Sequence, residues 1–260
     1  MKNWILELWH FRELLAALTL REIKIRYKQT LLGVSWAILQ PASLTLIFTV
    51  VFGIFLKVDS GEVPYPVFAY SGLVPWMFFS NSLSFGSLSV VNNGNLVTKV
   101  YFPREILPLS SVGAAFFDFC MAAVIFVILM LLYGIGPTLN FFYILILIPS
   151  IFLFTVGISF IFSAINVLYR DIRFVVPLLL QIWLFLTPII YSSSHVPEKY
   201  RSLLKINPLV SLIENFRAAT VYAKAPNYSE VIFSVLISIS IFFLGYWFFK
   251  SKEKIFADVM

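Results

Sequence analysis

Charge is what this chain of 260 residues has least of: Asp, Glu, Lys and Arg make up 12% of it, against 60% apolar residues. A soluble domain carries roughly 25% charged residues, so too little charge remains here to cover a water-facing surface. The charges are also bunched, and the runs between them are long. A helix needs about 20 mostly apolar residues to cross a hydrocarbon core about 30 Å thick, and several runs meet that. A soluble globular fold is thereby excluded.

Other scarcities narrow the chemistry. Cysteine occurs once, as Cys120, so no disulfide forms within one chain, and its apolar setting reads as a small buried hydrophobe. The two histidines, His10 and His195, have no Cys or His partner at ligand spacing, so no metal site is expected. The sequence holds no G-x-x-x-x-G-K-[ST], no H-E-x-x-H and no G-x-S-x-G. No catalytic residue is therefore nominated, no ATP binding of the P-loop kind is expected, and no cofactor is assigned to this chain. Residues 1–28 are too charged to read as a cleavable leader.

What is present is a series of apolar runs. The expected fold is all-α integral membrane, with six transmembrane helices at about 34–56, 68–91, 106–133, 141–168, 175–192 and 231–249. Gln40-Pro41 and Thr187-Pro188 are expected kinks. Residues 1–30 read as a separate N-terminal element, and 31–260 as the transmembrane domain. Within the first, 1–18 predicts an amphipathic helix, with Trp4, Leu8, Phe11, Leu15 and Leu18 at helical spacing and Lys2, Glu7, His10 and Glu13 on other faces. Its tryptophans suit either the membrane lipid boundary or a protein surface. The segment 193–230 is punctuated by Pro197, Asn207-Pro208 and Pro226-Asn227, yet 210–219 is apolar. Short re-entrant or interfacial helices between spans five and six are expected there.

Orientation follows from the basic residues. With a cytoplasmic N-terminus, thirteen of the nineteen Lys and Arg fall on cytoplasmic segments, including Arg21, Lys24, Arg26, Lys28, Lys99, Arg104, Arg170 and Arg173. The outer segments hold Lys57, Lys199, Arg201, Lys205, Arg217 and Lys224. Topology thus accounts for the positive balance, and nucleic-acid binding is not needed to explain it.

Three features stand out for function. Asp118 is the one charge inside an apolar span. It marks either a polar path or a structural acid locking two helices, and without an intramembrane Lys, Arg or His it makes a poor proton relay. Second, two turns between spans are densely patterned. Asn92-Asn93-Gly94-Asn95 leads into Tyr101, Phe102, Pro103, Arg104 and Glu105, and Tyr169-Arg170-Asp171-Ile172-Arg173 joins spans four and five. Aromatics beside Arg favour protein interfaces, so the first turn reads as a docking element for a cytoplasmic partner. Third, Phe48, Phe52 and Phe55 share one face of span one, while Trp183 and Tyr191 lie in span five. Such residues are usually core or interfacial belts. They are also candidate contacts along a transport path.

These motifs resemble a known family. Leu20-Arg21-Glu22-Ile23-Lys24-Ile25-Arg26-Tyr27-Lys28, followed by Leu32-Gly33, Trp36 and Gln40-Pro41, is similar to the start of type-2 ABC exporter permeases. Val100-Tyr101-Phe102-Pro103-Arg104-Glu105-Ile106-Leu107-Pro108 resembles their first cytoplasmic loop, and Leu168-Tyr169-Arg170-Asp171-Ile172 and Asn207-Pro208-Leu209 also fit, in order. Within that class the likeness is to the polysaccharide exporters of O-antigen, capsule and teichoic acid, with O-antigen permeases nearest. The resemblance implies a homodimer in the inner (plasma) membrane. Each copy would pair with a cytoplasmic ABC ATPase subunit that binds the ATP, and a lipid-linked polysaccharide would pass between the copies. Residues 101–105 would match a coupling helix seated in the ATPase, and the helices between spans five and six an outer gate.

Two other classes remain in view. An integral-membrane glycosyl- or lipid-transferase would need acidic clusters for a metal and a diphosphate, whereas Asp171 and Glu105 are single acids flanked by Arg. A secondary transporter would favour internal repeats, and none is evident.

Overall fold

The structure is a computed structural model that describes residues 2–28, 30–204 and 206–259. The side chains of residues 2–5, 195, 202, 257 and 258 are outside that description, so the expectations for Lys2, Trp4, His195 and Lys205 fall outside the described residues. Among the described residues every regular element is a helix.

The N-terminal element is two helices rather than one over 1–18. Helix α1 (Lys2–His10) and helix α2 (Arg12–Tyr27) are divided at Phe11, and α2 runs on through the basic stretch. It packs against the transmembrane domain: the Thr19 methyl lies so close to Gly113 that a Cβ there would sit 3.1 Å from it.

Helix α3 (Trp36–Phe48) carries Pro41 inside it without breaking. It continues as a π-helical segment over Thr49–Phe55, a local widening in which Leu56 N–H reaches back to the Val51 carbonyl. Helix α4 (Tyr65–Asn92) begins after Pro64 and is the centre of the fold, with buried side chains along most of its length. Helix α5 (Gly94–Lys99) is the short turn helix, and α6 is Ile106–Leu132. Helix α7 (Ile144–Leu168) is preceded by a 3₁₀ turn at Leu139–Tyr143. Then follow α8 (Ile172–Leu186), α9 (Glu198–Leu204), α10 (Pro208–Thr220), α11 (Tyr228–Glu253) and α12 (Phe256–Val259).

Among the described residues four segments are long and apolar enough to cross a membrane: Gly33–Phe55, Ile106–Leu132, Leu139–Leu168 and Tyr228–Glu253. The other two expected spans differ from these. Helix α4 has 28 residues, about 42 Å of helix, but serine, glycine and asparagine dilute its apolar content. It tolerates them because neighbouring helices cover it. Ser71 and Ser89 return their hydroxyls to the carbonyls of Phe68 and Gly86, both at 2.7 Å, which satisfies them without water. Helix α8 has 15 residues and stops at Leu186, so the expected span of 175–192 is too long at its far end. Pro188 disfavours helical backbone at Thr187, which is extended at φ −106°, ψ 129°. Thr187-Pro188 is thus a helix end, not a kink.

Helices α7 and α11 cross with almost no side chain between them. A Cβ on Gly157 would sit 2.6 Å from the Ile241 carbonyl oxygen, and one on Gly245 would strike the backbone of Gly157. Small residues that let backbones meet are how helices associate in lipid, where burial of apolar surface gives little drive. Between α8 and α11, Asn207 and Asn227 serve as N-caps. Their side-chain oxygens accept the N–H of Leu209 at 3.1 Å and of Glu230 at 3.5 Å.

Candidate functional site

The two patterned turns share one end of the molecule. Leu88, Asn92 and Gly94 from the α4–α5 corner line one cleft with Asn166, Arg170 and Arg173 from the α7–α8 corner and Val259 from α12. Asn166 donates to the Ser87 carbonyl at 2.8 Å, and Arg21 of α2 donates to Asn93 Oδ1 at 2.6 Å. Tyr169 is exposed, as are Arg170 and Arg173, the latter stacked on Phe174 with its guanidinium 4.7 Å from the ring centre.

The stretch 101–105 divides into an outward and an inward half. Tyr101 is 91% exposed and projects from the turn beside exposed Val100. Phe102 and Pro103 are buried, and Glu105 is wholly so. The inward half is tied to the end of α11. The Arg104 backbone N–H donates to Glu253 Oε1 at 3.2 Å, and its guanidinium donates to the Glu253 carbonyl and, at 3.5 Å, to the Val97 carbonyl of α5. Lys250 Nζ lies 2.7 Å from Glu105 Oε2 and 2.9 Å from Glu253 Oε2. Burial pushes the Glu105 carboxyl above the usual carboxylate range, and the Lys250 ammonium opposes that rise. Aromatic packing backs the polar tie, with Phe249 stacked edge-on against Phe256 at 5.3 Å.

Asp118 has the basic partner that its apolar run hid. Arg26 of α2 meets Asp118 Oδ2 at 2.7 Å, and the Tyr27 hydroxyl donates to Oδ1 at 2.6 Å. The partner comes from the N-terminal element and not from another span. The arrangement locks α2 onto α6, and the Arg26 guanidinium also lies 4.1 Å from the centre of the Phe85 ring.

The five aromatic candidates fall into two groups by what they pack against. Phe48 and Phe52 meet edge-on at 5.8 Å and pack with Tyr65 and Phe68 of α4, while Phe55 is exposed. Trp183 packs edge-on against Phe79, centroids 4.9 Å apart, and Tyr191 donates to the Phe185 carbonyl at 2.9 Å. Trp183 and Tyr191 line one apolar groove of about 970 Å³ among α7, α8, α9 and α11, together with Phe154, Tyr200 and Ile241. Phe48, Phe52 and Phe55 do not line that groove.

Arg217 was legible in sequence only as a basic residue of an outer loop. In the structure it is 3% exposed. It donates to Ser71 Oγ at 3.1 Å and to the carbonyls of Pro188 and Ile189 at 3.2 and 3.0 Å, and its guanidinium covers the Phe68 ring at 3.8 Å. It thus bolts α10 to α4 and to the chain beyond α8. Gly72 makes room for it, since a Cβ there would collide with Nη2. The one signal that could have found it is its apolar company in 210–219. No group of His, Cys, Asp and Glu fit to hold a metal occurs among the described residues.

The chain is similar to known transport proteins over most of its length. The family model described as ABC-2 type transporter matches residues 13–221. The chain is 31% identical over 264 residues to an O-antigen export system permease protein RfbA of Myxococcus xanthus, covering 99% of both chains. It is 30% identical to an RfbA of Klebsiella pneumoniae, covering 95% of each. A polysialic acid transport protein KpsM of Escherichia coli is 26% identical, over 92% of this chain and 93% of the relative.

Proposed function

The chain belongs to the ABC-2 type transporter family, and from that premise we propose that it is the permease subunit exporting a lipid-linked, O-antigen-like polysaccharide across the inner (plasma) membrane. The observation that carries this is the full-length similarity to the O-antigen export permeases of two bacteria. The likeness to KpsM supports capsular polysaccharide as the second reading. The chain works as a homodimer, with ATP bound and hydrolysed by a separate cytoplasmic ABC ATPase.

Six crossings fit this role: the four apolar segments, α4, and α8 completed by the chain beyond it. The N-terminus and the turn-bearing end face the cytoplasm, in keeping with the basic residues gathered there. Tyr101 is the exposed contact for the ATPase, and Phe102, Pro103, Arg104 and Glu105 hold it in place. Helices α9 and α10 form the outer gate. The exposed apolar faces of α3 with its π-helical continuation and of α8, with Leu46, Ile47 and Phe55 on one and Leu178, Ile182 and Phe185 on the other, suit lipid or a second copy. Phe48, Phe52, Phe55, Trp183 and Tyr191 are the candidate contacts for the polymer.

The test is surface polysaccharide, read by gel, in cells lacking this chain and supplied with it alone or with an ABC ATPase subunit. Polymer is expected only with both, and not with an ATPase that cannot hydrolyse ATP. Export by the chain alone would overturn the reading.

A further inference from the structure

We propose that the C-terminal end of α11 is a strut that sets the position of the coupling turn, with Lys250 and Glu253 as its positioning residues. The inference rests on the reading of 101–105 as the ATPase contact and goes beyond it, because neither residue lies in that stretch.

The geometry points there from three sides. Arg104 grips two elements at once, the Val97 carbonyl of α5 and the Glu253 carbonyl at the end of α11. Lys250 joins buried Glu105 to Glu253 at 2.7 and 2.9 Å. Three side chains of alternating sign, Glu105, Lys250 and Glu253, therefore run from the turn onto the end of α11, and the Arg104 backbone N–H joins them at the Glu253 carboxylate. Behind them Val97, Phe102, Phe249 and Phe256 are all buried, so the turn cannot tilt without shearing an apolar contact. A charge withdrawn from water must keep its partner or incur a large penalty, and that makes the tie stiff. Tyr101, by contrast, has no such anchorage and is free for a partner. Further along, α11 meets α7 backbone to backbone at Gly245 and Gly157. Push the turn, and α11 is the element that receives it.

The experiment uses the whole chain, alone and in its ATPase complex, with Lys250→Met and Glu253→Gln. Two readouts are taken. In the permease alone, hydrogen exchange over 94–105 is expected to rise by at least about fivefold, with the α6 interior unchanged, because removing the tie loosens only that unit. In the complex, ATP hydrolysis is expected to stay within about twofold of wild type, while polymer exported per ATP hydrolysed falls by about tenfold. Lys250→Arg, which keeps the charge, should restore most of it. Unchanged exchange would show that α11 does not hold the turn. Raised exchange with unaltered export per ATP would show that its position is immaterial to coupling. Either result overturns the strut. Failure of the unaltered chain to export with an ATPase would instead overturn the functional reading.

Discussion

At the scale of single residues, an ion pair and an aromatic side chain give the sharpest tests. Arg26 and Asp118 are 11% and 13% exposed at their side chains, so breaking the pair strands a charge. Asp118→Leu is expected to cost about 3 kcal/mol, in the range for removing one partner of a buried pair. Asp118→Asn should cost less, since it still accepts from Tyr27. Adding Arg26→Met to Asp118→Leu should recover stability, because no lone charge remains. Thermal melting of the purified permease checks the series, and a double variant no better than Asp118→Leu would refute the pairing. Tyr101 and Phe102 are adjacent but should respond in opposite ways. Tyr101→Ala is expected to lower co-purified ATPase by about tenfold, the effect of one interface anchor, at normal permease yield. Phe102→Ala should lower the yield itself. The sequence showed Asp118 as an odd charge but could not show its partner, which lies 92 residues away. It showed Arg217 only through the apolar company of 210–219, because a buried arginine served by carbonyls and a hydroxyl needs no acidic neighbour to betray it.

Among the elements, what was legible depended on what each helix touches. Helices α3, α6, α7 and α11 present apolar side chains outward, so their presence was plain in the run of residues, although α11 runs several residues beyond the expected 231–249. Helix α4 is covered by protein, and a covered helix is free to carry serine and glycine. Its ends were nevertheless readable within a few residues, from Pro64 and from Asn92-Asn93. Asn207-Pro208 and Pro226-Asn227 were visible as punctuation, but whether an Asn ends one element or caps the next depends on backbone geometry that composition does not carry. The α7–α11 crossing was not legible, because two glycines 88 positions apart in the chain announce nothing until they face each other. It is testable now. Gly245→Ala inserts a methyl group where the Gly157 backbone already stands, and overpacking of this kind costs about 1–3 kcal/mol. A lowered melting temperature is expected, with a larger drop for Gly245→Leu. An unshifted melt for both would mean that the helices do not meet there.

For the molecule as a whole, orientation is the property most open to a direct check. In a Cys120→Ala background, Lys99→Cys should resist an impermeant thiol reagent in intact spheroplasts, while Ser194→Cys should react. The reverse pattern would invert the topology. A deeper consequence follows from the early stop of α8. Fifteen residues of helix span only about 22 Å, against a hydrocarbon core of about 30 Å. Taken as a crossing, α8 is several ångströms short, and the shortfall falls on the side where α9 and α10 begin. The buried chain at 187–190 continues it only as non-helical backbone, so lipid beside it must thin or α9 and α10 must fill what is left of the step, and hydrophobic mismatch of this kind costs fractions of a kcal/mol per ångström. The exporter should therefore sense bilayer thickness. Reconstituted with its ATPase in short-chain and then long-chain phosphatidylcholine, it should move polymer more slowly in the thicker membrane, where the unmatched end of α8 lies deepest in hydrocarbon.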